Sequence, residues 1–333
     1  MTFLGLGFPF LAIALLLIIG IWLLMKPRYA LFLVIIFALG YPNLRNILGW
    51  HFRSGFSNEK PKQGFRVLSW NVNNFDNSYR NSESPDGIRR RMINFLRETN
   101  ADVLLLQEFA EYDNPGMYSN IAALDSLGYK YHYFTRDITS FQWNIRTTFG
   151  SAIFSKVPMI DTGKVAYRDL PIPESIAHAS IPVHGDTISF YTSHLVSMRI
   201  SRSTYDSNDT FYPRYDSMFS FEKPIYQRLM FYDSLHVQQA KQFNNFVNSS
   251  RYPVIISGDL NSVPSAYVYY QLRGNKKDVF LEKGFGPGTS YKAMSPTLRI
   301  DFIFTSPLIK TLQANIPRLK LSDHYPVVAD LTF

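Results

Sequence analysis

Six places along the chain put a carboxylate, a histidine or a carboxamide directly beside a short apolar run. They are Asn71-Val72-Asn73, Gln107-Glu108, Ser193-His194, Asp259-Leu260-Asn261, Asp301 and Asp323-His324. Carboxylate oxygens are ligands for a hard cation such as Mg²⁺. A histidine beside a carboxylate can serve as general base near neutral pH. Cysteine is absent, so neither a thiolate metal site nor a cysteine nucleophile is available. Taken singly, each signal has an ordinary reading. Asn71 and Asn73 serve equally well as turn formers, and Gly258-Asp259-Leu260-Asn261 as an Asx turn. Glu108 alone reads as an exposed strand-end charge and His194 as a satisfied core or rim histidine. Asp323-His324 alone reads as a loop held by side-chain hydrogen bonds. Their order and company carry the argument.

To act together, these groups must be delivered to one place. The apolar runs beside them are short and bounded by turn signals, the pattern of strands. They cover 65–70, 103–106, 151–154, 187–192, 254–257, 299–304 and 325–331. Polar groups at successive strand ends can converge on one rim of a sheet. Helical periodicity lies between some of the strands. Ile88, Met92, Phe95 and Leu96 share one face, with Asp86 as a candidate cap. Leu229, Tyr232, His236, Phe243 and Val247 predict a longer helix ending near Asn248. Spacing alone does not choose between α/β and α+β. The polar stretch 199–223 reads as a surface excursion.

Read together, Ser69-Trp70-Asn71-Val72-Asn73, Leu106-Gln107-Glu108, Ser193-His194-Leu195, Gly258-Asp259-Leu260-Asn261, Arg299-Ile300-Asp301 and Ser322-Asp323-His324-Tyr325-Pro326 resemble the endonuclease/exonuclease/phosphatase superfamily. The motifs occur in order from Phe65 to Phe333. The resemblance implies an α+β fold, a four-layer αββα sandwich of the DNase I-like kind, with the active site at the sheet rims. It implies a divalent cation, Mg²⁺ or alternatively Mn²⁺. Glu108 matches the principal metal-ligating glutamate, with Asn71, Asn73 and Asp323 near the metal. His324 matches the catalytic histidine, Asp301 the carboxylate that orients it, and Asp259 the aspartate acting on the attacking water. Asn261 matches a phosphate-contacting residue. His194 matches the histidine of DNase-like, sphingomyelinase-like and inositol-phosphatase-like members, whereas abasic-site endonucleases typically carry Asn there. The expected activity is metal-dependent hydrolysis of a phosphoester: a lipid head group, a small molecule or, alternatively, DNA or RNA. A scaffold reusing the fold is the non-enzymatic reading, disfavoured by the complete set of polar residues.

The remaining sequence says where this chemistry sits. Residues 3–25 carry no charge, and 23 helical residues at ~1.5 Å each span a ~30 Å hydrocarbon core. A cleaved signal peptide fits less well, because no basic residue precedes the run. A second apolar run, 29–41, follows Lys26-Pro27-Arg28, so a transmembrane helical hairpin is expected over 1–53. A linker over 54–63 and a catalytic domain over 64–333 complete the expected organisation. Of the net charge of +8, half belongs to residues 1–53, leaving the catalytic part too mildly basic to argue for nucleic acid. Arg136, Arg146, Arg199 and Arg202 are the candidates for a basic groove. Basic links between spans tend to stay cytoplasmic. That places the catalytic domain outside the cytoplasm, at a bacterial inner membrane, although Arg45 and Arg53 blunt the argument.

Overall fold

Period-two alternation in the strands, with apolar residues on both faces, requires cover on both sides of each sheet. The computed structural model supplies it. The structure describes residues 2–52, 55–76, 85–113, 118–142, 145–198, 224–292 and 298–333. The chain opens with helices α1 (Thr2–Met25), α2 (Pro27–Leu39) and α3 (Tyr41–Ile47), then strands β1 (Gly49–Trp50) and β2 (Phe65–Asn71). The turn α4 (Asn73–Asp76), α5 (Pro85–Thr99), β3 (Val103–Tyr112), α6 (Asn120–Ser126), β4 (Tyr131–Phe134), β5 (Ile138–Gln142) and β6 (Ile145–Ser155) follow. Next come β7 (Asp161–Ala166), β8 (Ser175–Val183), β9 (Asp186–His194), α7 (Ile225–Asn248), β10 (Val254–Asp259), α8 (Tyr267–Arg273) and β11 (Lys277–Asp278). The chain closes with α9 (Val279–Lys283), β12 (Phe285–Gly286), β13 (Asp301–Thr305), β14 (Lys310–Asn315) and β15 (Val327–Thr332).

Two large sheets result, one ordered β14-β15-β2-β3-β6-β4 with β5 also on β6, the other β11-β13-β10-β9-β8-β7, and β1 pairs separately with β12. Phe65, Val67, Val103 and Leu105 of the first face Ile188, Phe190, Ile255 and Ile303 of the second across a dry inner layer. The alternate residues Leu68, Trp70, Leu104 and Leu106 pack outward against Met92 and Leu96 of α5. On the opposite outside, Ile256, Phe302 and Phe304 meet Phe243 and Val247 of α7 and Val268 and Leu272 of α8. The architecture is therefore the expected four-layer αββα sandwich. Its central strands set up the site. β9 and β10 run parallel, with Asp259 beside His194, and β13 runs antiparallel to β10, with Asp301 beside Asp259.

The helix over Ile88–Leu96 forms as expected, although the side chain of Asp86 lies outside the described ones. Segment 199–223 also lies outside the described residues. Two expected strands begin later than the apolar runs suggested, at Asp301 rather than Arg299 and at Val327 rather than Tyr325. Residues 57–60 are tied down: Ser57 and Asn58 carbonyls accept from Arg66, and Lys60 pairs with Asp102 at 2.6 Å.

At the N-terminus, α1 and α2 lie antiparallel, with the Trp22 and Tyr29 rings 5.3 Å apart near the turn. A Cβ on Gly40 would come within 3.4 Å of the Phe8 ring at the other end. Among the described residues one helix, Gly5–Met25, is by itself long and apolar enough to cross a membrane; α2 and α3 pass the same test only together, bent by 58°.

Candidate active site

The decisive distortion is in β3. Leu106 and Phe109 both face α5, so Gln107 and Glu108 together fill the step that one residue would occupy in a regular strand. The register against β6 shifts at this point, and Glu108 takes a left-handed φ of 48°. Such a bulge re-aims side chains, and left-handed backbone at a non-glycine residue costs about 1–3 kcal/mol that the surroundings must offset. The bulge turns both residues to the gap between the sheets. Gln107 Nε2 donates to Ser69 Oγ (3.2 Å) on its own sheet and to Thr192 Oγ1 (2.7 Å) on the other. Glu108 Oε1 accepts from Asn71 Nδ2 at 2.9 Å.

In β10, Gly258 has φ 149°, and a Cβ there would lie 2.0 Å from the Ser193 carbonyl oxygen. Only glycine permits that approach of β9, which brings His194 to Asp259. Asp259 Oδ2 is the hub. It accepts from Asn71 Nδ2 (3.1 Å) and lies 3.6 Å from His194 Nε2 and 3.5 Å from His324 Nε2. Asp259 Oδ1 accepts from the Asn261 backbone N–H (2.9 Å), and Asn261 is left-handed at φ 45°. Asn261 Nδ2 sits 3.1 Å from His194 Nε2 and donates to the Leu195 carbonyl at 2.8 Å.

His324 is buried and held on several sides. Its Nδ1–H donates to Asp301 Oδ2 at 2.9 Å, its backbone N–H donates to Ser322 Oγ, and its carbonyl accepts from Trp70 Nε1. The Tyr291 ring packs 4.8 Å from the imidazole. Ser290 Oγ accepts from the backbone N–H groups of Ile300 and Asp301. Asp301 Oδ1 is buried with no hydrogen-bond partner among the described residues.

The electrostatics follow from packing two histidines among Glu108, Asp259, Asp301 and Asp323. Burial pushes Asp301 up to about 6, opposed by His324 and reinforced by Asp259. Burial disfavours charge on His324, but Asp301 and Asp259 outweigh it and hold the imidazole well above its usual value. His194 behaves likewise, with burial overcome by Glu108 and Asp259. The Asn261 amide, donating toward Nε2, works against that charge. Glu108 is raised by burial first, then opposed by His194, with Asp323 adding to the rise. Some 28% of its side-chain surface still reaches solvent, so it sits on the cleft wall, not beneath it.

Glu108, His194, Asp259, Asn261 and His324 line a cleft of about 390 Å³ that also includes Asn73, Asp137, Glu174, Tyr291 and Asp323, with no lysine or arginine in its lining among the described residues. A larger cavity of about 500 Å³, between Phe56, Phe285 and Arg318, has no carboxylate or histidine in its walls and offers no comparable chemistry. All nine residues singled out in the sequence thus meet: seven are linked through Asp259, Glu108 and His324, and Asn73 and Asp323 sit on the wall. Asn73 N–H donates to Asn71 Oδ1, and Asp323 Oδ1 accepts from Ser322 Oγ. Among the described histidines, aspartates and glutamates, Asp259, Asp301 and His324 each bring one ligand atom within 4.8 Å of the others, and none of the three belongs to the expected metal set. The oxygen-rich wall of Glu108, Asn71, Asn73 and Asp323 is nevertheless the donor chemistry a hard divalent cation takes. Sequence reasoning missed Ser290, Tyr291, Asp137 and Glu174. They lie in stretches without a diagnostic motif, and no local signal could have found them. Of the four arginines proposed for a basic groove, Arg136 and Arg146 flank Asp113 at 4.0 and 3.4 Å, and Arg199 and Arg202 lie outside the described residues.

A model of the Endonuclease/Exonuclease/phosphatase family matches residues 68–324, and a model of a domain of unknown function matches residues 1–47. No curated protein sequence matches the chain. Among solved structures, an endonuclease/exonuclease/phosphatase from Beutenbergia cavernae superposes with a TM-score of 0.60 at 17% identity, over 82% of this chain and 72% of that one. The human Nocturnin catalytic domain with bound sulfate gives 0.58 at 14%, over 83% and 96%. D. rerio TDP2 complexed with a single-strand DNA product gives 0.54 at 17%, over 82% and 100%. At these identities the likeness is one of fold.

Proposed function

Because the chain belongs to the endonuclease/exonuclease/phosphatase family, we propose that it is a divalent-metal-dependent phosphoester hydrolase tethered to a membrane. The observation that carries the reading is the convergence of Asp259, Asp301 and His324 at the base of a carboxylate-walled cleft. Glu108, Asn71, Asn73 and Asp323 would hold the cation. Two features fit one there: the Glu108 carboxylate is raised by burial with Asp323 nearby, and the cleft gathers more carboxylates than it has cations to offset them. A bound Mg²⁺ or Mn²⁺ polarises the phosphoryl oxygen and neutralises charge on the departing one. The protein does the rest. Asp301 fixes the His324 tautomer so that Nε2 faces the cleft and can take a proton from the attacking water. Asp259, within 3.5 Å of that nitrogen, orients the water. His194, and Asn71 and Asn261 on turning an amide proton away from the acceptors they now engage, would supply hydrogen bonds to the phosphoryl oxygens as negative charge builds.

The preferred substrate is a lipid head group or another small phosphoester near the bilayer. The competing reading, an extracytoplasmic nuclease, calls for a basic track for the phosphate backbone. The described cleft wall is acidic instead, and Arg136 and Arg146 are engaged by Asp113. The membrane tether rests on the length and hydropathy of α1 and on the exposed apolar surface of α1 and α2. The basic Lys26–Arg28 link supports an extracytoplasmic domain; protease treatment of intact cells that spares the C-terminal half would contradict that orientation.

The test uses the full-length protein in lipid vesicles, with Mg²⁺, Mn²⁺ or EDTA. Substrates are a phospholipid of the vesicle, inositol phosphates, bis-p-nitrophenyl phosphate, plasmid DNA and RNA. EDTA-sensitive turnover that disappears in His324→Ala is the expected result, strongest on the lipid or small phosphoester. Preference for DNA or RNA, steeply weakened by salt, would move the assignment to a nuclease. Metal-independent turnover, or none on any substrate, would overturn the hydrolase reading.

A further inference from the structure

The N-terminal hairpin does more than tie the domain to a membrane, because both of its feet stand on the segments that carry catalytic groups. At the first foot, the Gly5 carbonyl accepts from Ser265 Oγ at 2.9 Å. Leu6 packs into a small cluster with Val263, Ala266, Leu298 and Ile300. At the second foot, the Asn46 carbonyl near the end of α3 accepts from Arg299 at 2.6 Å, while the same guanidinium pairs with Asp278 at 2.6 Å. Asn46 also accepts from Arg273 (2.6 Å) and donates to the Tyr270 hydroxyl (2.8 Å) through its side chain. Asn46 and Arg299 are 2% and 1% exposed, so these bonds are made away from water, where an unmade one is costly.

The receiving segments are 260–266 and 298–301. The first begins one residue after Asp259 and contains Asn261; the second ends on Asp301. They are stitched together by Leu260 N–H to the Ile300 carbonyl (2.9 Å), and Leu298 accepts from Tyr291, whose ring lies against His324. Residues 298–300 precede β13 and lack its ladder, so their position depends on what they rest on. From the domain side that support is Ser290, Leu260 and Asp278; from the other side it is the hairpin, through Leu6 and Asn46.

We propose that Gly5, Leu6 and Asn46 are positioning residues of the active site: the hairpin's feet hold segments 260–266 and 298–301 so that Asn261 and Asp301 stay aligned with His324. For catalysis this rests on the hydrolase reading above. Gly5 and Gly7 provide a matched comparison within one helix. A Cβ on Gly5 would meet Ser265 Oγ at 3.0 Å and Val263 Cγ2 at 3.2 Å, whereas one on Gly7 would have nothing within 4 Å. Leucine at either position raises the hydropathy of α1, so membrane insertion is preserved in both. A displacement of about 1 Å in a catalytic group can cost on the order of a hundredfold in rate.

The experiment compares Gly5→Leu and Gly7→Leu in the full-length protein, in vesicles for kinetics and in detergent micelles for NMR. Gly5→Leu should lower kcat on bis-p-nitrophenyl phosphate by about tenfold, with KM and thermal midpoint close to wild type. It should also move the downfield resonance of the His324 Nδ1–H, identified by its loss in Asp301→Asn. Gly7→Leu should match the wild type in both. If Gly5→Leu does not fold, Leu6→Ala should produce the same signature at smaller amplitude. Identical kcat and identical resonance in the two glycine variants would overturn the proposal. If the wild type hydrolyses nothing, the hydrolase reading falls, and the resonance still decides whether the feet position the Asp301–His324 pair.

Discussion

Two buried acid–base pairs in this protein are built in opposite ways. Arg66 and Asp330, side by side on β2 and β15, form a bidentate pair at 2.6 and 2.8 Å. The guanidinium also donates to the carbonyls of Ser57, Asn58 and Thr99, and Asp330 accepts again from Gln313. His324 and Asp301 share a single hydrogen bond; one Asp301 oxygen has no hydrogen-bond partner among the described residues, and His324 Nε2 faces the cleft with Asp259 3.5 Å away. The first pair uses up its hydrogen-bonding capacity within the fold. The second keeps capacity in reserve, and the backbone strain at nearby Glu108 and Asn261 belongs to the same design. Saturated polar groups hold a structure in place; unsaturated, over-supported ones are where a substrate's groups can be received.

Substitutions should separate the two pairs cleanly. The largest effect is on rate: His324→Ala should lose about 10²- to 10⁴-fold in kcat, measured on its folded fraction. Near-normal turnover in steady-state assays would remove His324 from the mechanism. Arg66→Met should do the reverse, destabilising the fold by about 3–5 kcal/mol because Asp330 is left charged and buried. Its folded fraction should keep normal kcat, and adding Asp330→Leu should restore most of the urea midpoint; no recovery would mean the pair is not acting as a unit. Next in size, Glu108→Ala should weaken Mn²⁺ binding at least about tenfold by calorimetry, the lower end of what outer partners of a metal site cost. Unchanged affinity would assign the cation to another part of the cleft.

The smallest effect is a pH dependence to which the His324–Asp301 pair contributes, beside His194 and Glu108, which are raised as well. Both members of the pair have folded-state pKa values above their ordinary values of 6.5 and 3.8, so the folded state holds more protons than the unfolded one. The stability of the metal-free protein should therefore fall as pH rises, first across the Asp301 window from 3.8 to about 6 and then above 6.5 as His324 loses its proton. His324→Ala should lessen the upper part of that slope in urea melts, the remainder belonging to His194; an unchanged slope would mean that His324 takes no part in it.

Much of the site was legible because its groups sit at strand ends, where a period-two apolar run stops and a polar residue follows. Asn71, Glu108, His194 and Asp259 were all found that way. The strand boundaries at Asp301 and Val327 were less legible. Apolar character at Ile300 comes from contact with Leu6, and at Leu321 from contact with the α5 side, not from a ladder. Ser290 and Tyr291 carried no motif, yet they support Asp301 and His324 directly.

By itself the sequence determined several of the strands, two of the helices that lie between them, and which polar side chains stand at strand ends. Those features follow from local periodicity and residue chemistry, and each is contained within about ten neighbouring residues. Only the tertiary structure decided that Asp259 is the hub, that a one-residue bulge aims Glu108 inward, and that Gly5 and Asn46 rest on the segments bearing Asn261 and Asp301. Those outcomes depend on contacts between residues far apart in the chain, two of them, Asn71 with Asp259 and Asn46 with Arg299, across more than 180 positions. No pattern along the chain encodes such a meeting; it exists only once both sheets have packed and the hairpin has docked against them.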